Sequence, residues 1–75
     1  MEQVIQVLDT IALMEDLPQK GLGRGQVGTV VEQLGPDAFE VEFVGTNGET
    51  YAMLPLRTEQ IMVLRHTPVY AAQSS

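Results

Sequence analysis

Residues Ala38-Phe39-Glu40-Val41-Glu42-Phe43-Val44 place Phe39, Val41 and Phe43 on one parity and Glu40 and Glu42 on the other. Side chains along a strand point alternately to its two faces, so this spacing predicts a β-strand with one face packed and the other in water. Upstream, Gln26 to Leu34 is rich in β-branched residues and is joined to this strand by Gly35-Pro36-Asp37, a turn-forming cluster, so the two are expected to pair as a hairpin. Downstream, Gly45-Thr46-Asn47-Gly48-Glu49 contains an Asn-Gly pair suited to tight turns, and Thr50 to Leu54 follows as a third strand of a meander. Ile11 to Met14 reads as an earlier strand and Gln60 to Leu64 as a last one. Pro55-Leu56-Arg57-Thr58-Glu59, between them, is too short for an α-helix and suits a single 3₁₀ turn.

These pieces define an all-β chain: a small five-stranded SH3-like barrel with a long loop after the first strand and a 3₁₀ turn before the last. Curling the sheet protects edges that would otherwise invite aggregation. The barrel is expected to occupy residues 1–66, with residues 67–75 a flexible tail that ends on small and polar side chains. An alternative for the N-terminus is a helix, because Val4, Ile5, Leu8, Ile11 and Ala12 fall near helical spacing. Within Thr50–Leu54, parity separates Tyr51 and Met53 from Ala52 and Leu54 without saying which pair is buried.

The whole chain has 75 residues, 44% of them hydrophobic and 19% charged, enough for one small globular domain. Ten acidic residues against four basic ones give a formal charge of −6, a field that repels phosphate backbones and anionic membrane surfaces. The absence of cysteine excludes disulfides, thiolate zinc sites and thiol nucleophiles, and fits a reducing compartment. The first eight residues carry Glu2 and no Lys or Arg, so no signal peptide is expected, and no apolar run approaches the roughly 20 residues of a membrane-spanning helix. A soluble, cytoplasmic protein is the expectation.

Three features resemble chemistry. Gly23-Arg24-Gly25-Gln26-Val27-Gly28-Thr29-Val30 matches G-x-G-x-x-G-x-V, a string that brings backbone close to nucleotide phosphates, but no helix start follows it and no kinase machinery fits a chain this short. The glycines are better read as relieving crowding where a loop enters a bent strand, with Gly28 marking a bulge. Asp9, Glu15 and Asp16 form a candidate carboxylate cluster for acid/base work or a hard cation, with Lys20 and Arg24 in the same loop to neutralise it. His66 has no second histidine or cysteine to complete a metal site, and Ser74 and Ser75 have no base. The chain is therefore expected to be no enzyme and to carry no cofactor and no metal.

The stretches LMEDLPQKGLGRGQVGTVVEQL and FEVEFVGTNGETYAMLPLRTEQIMVL resemble a family of small uncharacterised bacterial proteins, frequent in cyanobacteria, known as a domain of unknown function. The resemblance runs from about Leu8 to Leu64, and its most specific part is Glu15 to Val30. The spacing Gly25-x-x-Gly28-x-Val30 is also similar to the KOW-type strand of SH3-like barrels in ribosome and transcription proteins, which implies docking to nucleic acid or protein. The first family implies, through neighbours that resemble toxins, a compact acidic inhibitor.

The leading expectation is a non-enzymatic protein-interaction module, an antitoxin or immunity partner or a small accessory subunit, that docks a basic or neutral protein. Glu15 and Asp16 would contribute charge and Leu22, Tyr51 and Met53 an apolar patch. The alternative is a KOW-like nucleic-acid-binding domain using Lys20, Arg24 and Arg57, which the acidic balance argues against. A homodimer through a self-paired edge strand is a further expectation.

Overall fold

The computed structural model describes residues 3–66. Along the chain run β1 (Thr10–Leu13), the 3₁₀ turn η1 (Pro18–Lys20), β2 (Val27–Gly35), β3 (Ala38–Val44), β4 (Thr50–Arg57), the 3₁₀ turn η2 (Thr58–Gln60) and β5 (Ile61–Val63). The five strands form one antiparallel sheet in the order β4-β3-β2-β1-β5, open between its edges β4 and β5. Five strands, the meander and a 3₁₀ turn before the last strand are as the sequence predicts. The expected tail, 67–75, lies outside the described residues.

Alternation in β3 works as read: Phe39, Val41 and Phe43 are buried, while Glu40 and Glu42 lie on the opposite, wetter face. With Ile11, Leu13, Val30, Leu54, Leu56 and Ile61 they form a single core to which all five strands contribute, so the sheet must curl around it. Buried Leu22, from the loop after β1, and Ile5, from the N-terminal segment, complete that core. In β4 the pair facing inward is Ala52 and Leu54; Tyr51 and Met53 face out, at 56% and 50% exposure.

Two expectations need correction. β4 continues through Pro55 to Arg57, and the 3₁₀ turn starts later, at Thr58. The strand tolerates Pro55 because of hydrogen-bond alternation: Thr58 N–H donates to Asp37 O at 3.0 Å, so Pro55, three positions earlier, turns its nitrogen away from β3 toward the free edge. The second correction concerns Gly28, which is in regular register opposite Ile11. Bulges fall instead at Val31 and Leu34 on β2 and at Tyr51 on β4, the residues skipped in the pairing. The helical alternative for the N-terminus does not form over Gln3–Asp9. Ile5 is drawn into the core, and a turn at Val7–Leu8 is closed by Asp9 N–H to Gln6 O at 3.0 Å. Among the described residues no helix is long and apolar enough to cross a membrane.

Candidate interaction surface

The loop from Met14 to Gln26 folds back on itself. Leu17 and Leu22 exchange two backbone hydrogen bonds, at 2.9 and 3.1 Å, around the single turn η1. Pro18 starts η1 and Gly21 ends it in the left-handed region at φ 71°, where glycine carries no steric penalty. Leu22 is 3% exposed and Leu17 packs beside it, so the bridge pins the loop onto the core. Leu22, expected as part of an exposed apolar patch, is thus a support beneath it.

The two acids of the loop diverge. Glu15 Oε2 accepts from Gln60 Nε2 at 3.0 Å, tying the loop to η2, while Asp16 Oδ1 accepts from Arg24 N–H at 2.8 Å, bracing the loop's far limb. Asp9 is engaged separately, its Oδ2 accepting from Gln6 N–H at 2.8 Å. The structure does not converge these three carboxylates on one point, and among the described residues no group of three His, Cys, Asp or Glu side chains is placed to hold a metal ion.

The glycine string is likewise absorbed by the fold. Gly25 N–H donates to Leu13 O at 2.7 Å, Gln26 N–H to Gly23 O at 3.0 Å and Arg24 N–H to Asp16, and Gly23 N–H faces Gln26 Oε1 at 3.5 Å. The backbone donors that a phosphate cradle would need are turned inward to the chain itself.

What the fold does assemble lies on the outer face of β2, β3 and β4. Glu32 stands directly opposite Glu40, and Glu40 opposite Pro55; one step along, Thr29, Glu42 and Met53 form the next cross-strand row. Three carboxylates therefore share one face of two strands. Among the described residues the ion pair formed is Arg57–Glu59, 3.0 Å apart and exposed, which leaves these three without a cationic partner. Thr50 Oγ1 donates to Glu42 Oε2. Tyr51, the extra residue of its bulge, reaches across to donate its hydroxyl to Gly21 O at 3.2 Å, so its exposed ring joins the loop to the edge strand. Of the expected site residues, Tyr51 and Met53 are thus brought beside Glu42 and the loop, whereas Glu15 and Asp16 are diverted elsewhere.

Alternation alone puts Glu40 and Glu42 outside, but Glu32 reaches their face only because Val31 is bulged, and nothing in the sequence marks that bulge. A separate cleft of about 740 Å³ lies between the N-terminal segment, η2 and the β2–β3 turn, lined by Val4, Ile5, Phe39 and Ile61 among others and by none of the expected site residues.

A curled five-stranded antiparallel sheet with an acidic outer face is the class that this geometry defines. The model for the domain of unknown function DUF4926 matches residues 7–63, most of the chain, and the protein belongs to that family. No curated protein and no solved structure matches it.

Proposed function

We propose that the chain is a non-enzymatic docking module that receives a basic or neutral protein on the outer face of β2, β3 and β4, as an antitoxin or immunity partner or as a small accessory subunit. The observation that carries this reading is the sheet face that carries Glu32, Glu40 and Glu42, bordered by exposed Tyr51 and Met53. Like charges opposite each other on neighbouring strands oppose folding, and a partner that supplies cations relieves that opposition. The thioether and the phenol ring beside them offer the adaptable apolar area that interface centres favour. We place the module in the cytoplasm, in keeping with a chain that lacks cysteine. The strand order, which sets the first strand against the last, supports reading the curl as an SH3-like barrel. For nucleic-acid binding, Lys20, Arg24 and Arg57 would have to be available, and Arg57 is already held by Glu59.

The test is kinetic. A protein retained by the immobilised chain from its host is purified and its association measured from low to physiological salt. Glu40→Gln and added salt are each expected to slow association several-fold with little change in dissociation, and Met53→Ala to speed dissociation about tenfold. Association indifferent to salt and to Glu40 would overturn the reading.

A further inference from the structure

We propose that the Val7–Leu8 turn is a second docking element: an apolar knuckle that inserts into an apolar pocket with a cationic rim on the protein partner. The inference rests on the docking reading above and extends it to a different surface. Among the described residues, four adopt positive φ; three are glycines, Gly21, Gly25 and Gly48, and the fourth is Leu8 at φ 81°. A bulky side chain in that region crowds its own backbone, and such strain persists only where surrounding structure imposes it.

The surroundings do impose it. Leu8 N–H donates to Val30 O at 2.7 Å, Val30 N–H to Asp9 O at 2.9 Å and Asp9 N–H to Gln6 O at 3.0 Å, while Asp9 Oδ2 takes Gln6 N–H at 2.8 Å. The turn is fixed on both sides of Leu8, yet the side chain it holds gains little burial: Leu8 is 77% exposed, the most exposed large hydrophobic residue among those described, and Val7 beside it is 47% exposed. Glycine would serve the turn better, and a polar residue would serve the solvent-facing side chain better. Among the described residues leucine serves neither, which points to a contact beyond them.

Charge chooses that contact. A second copy would bring −6 against −6, with the Asp9 carboxylate at each knuckle, whereas a pocket rimmed by Lys or Arg meets both the apolar tip and the acid beside it.

Leu8→Gly and Leu8→Ala test this, because both remove the anchor and only glycine removes the strain. Thermal unfolding is expected to place Leu8→Gly above the wild type, by about 3 °C after allowance for the freer unfolded chain, and Leu8→Ala close to it. Titration with the purified partner is expected to show both variants weakened about tenfold or more. A fall in Tm for Leu8→Gly would make Leu8 a structural residue and overturn the proposal. Unchanged affinity in both variants, with Met53→Ala still weakened, would overturn the knuckle and leave the sheet-face reading standing. A dimer of the wild type in sedimentation that Leu8→Gly abolishes would replace the basic partner with a second copy. Failure of the wild-type chain to retain any protein at physiological salt would remove both readings together.

Discussion

Gly28 occupies a place where a single methyl group would decide whether the core closes. A Cβ there would stand 2.8 and 2.9 Å from two carbons of the Phe43 ring and 2.9 Å from Val41 Cγ1. Phe43 and Val41 are fully enclosed and cannot retreat, so Gly28→Ala is expected to destabilise the fold by ~1–3 kcal/mol, read as a lower denaturant midpoint. Gly21 is required by its positive φ; a Cβ there would also displace the Tyr51 hydroxyl, the movable end of an exposed side chain, and loosen its bond to Gly21 O. Gly21→Ala is expected to cost ~1–2 kcal/mol in the same measurement, where a residue in an ordinary loop would cost almost nothing. The glycine spacing is plain in the sequence, but its purpose is not. Gly28 answers to a ring on β3, a distance between remote parts of the chain, whereas Gly21 answers first to the local turn that ends η1.

At the level of elements, both edges of the open sheet carry stops against further strands, and glutamine side chains supply much of this. Residues 60, 62 and 64 bond toward β1, as Met14 N–H to Gln60 O and Leu64 N–H to Thr10 O indicate, so Ile61 and Val63 direct their backbone groups outward. Gln3 meets them like a peptide unit of a sixth strand: its Nε2 donates to Ile61 O at 2.5 Å and its Oε1 accepts from Val63 N–H at 3.0 Å. On β4, Pro55 offers no donor, and the outward Arg57 N–H is taken by Gln60 Oε1 at 2.8 Å. Such stops are how open sheets avoid edge-to-edge growth. In Gln3→Ala the Val63 amide is expected to exchange with solvent at least tenfold faster while amides in β3 keep their protection; unchanged exchange at Val63 would assign the closure of β5 to something other than Gln3.

Across the whole molecule, charge works against the fold it decorates. A net charge of −6, with Glu32 facing Glu40 and a lone exposed ion pair among the described residues, means that repulsion outweighs attraction at the surface. Raising ionic strength from about 0.01 to 0.15 M shortens the screening length from roughly 30 to 8 Å, so Tm is expected to rise by a few degrees. A scaffold held by surface ion pairs would respond in the opposite sense, and a falling Tm would show that attractive pairs dominate.

The two-residue alternation around Val41, the β-branched run before it and the Asn-Gly turn after it determine the three-strand meander β2–β3–β4 without help from tertiary structure, because parity, φ preference and turn geometry are local properties of neighbouring residues. Gly48, at φ 85° in the turn closed by Gly45 N–H to Glu49 O, is where the sequence places it. The side that Tyr51 and Met53 face, the bulge that moves Glu32 to its row, the inward turn of Leu22, the separation of Glu15 from Asp16 and the strained exposure of Leu8 were decided only when the strands met. Each depends on which remote group arrives opposite, and a linear order of residues carries no measure of that distance.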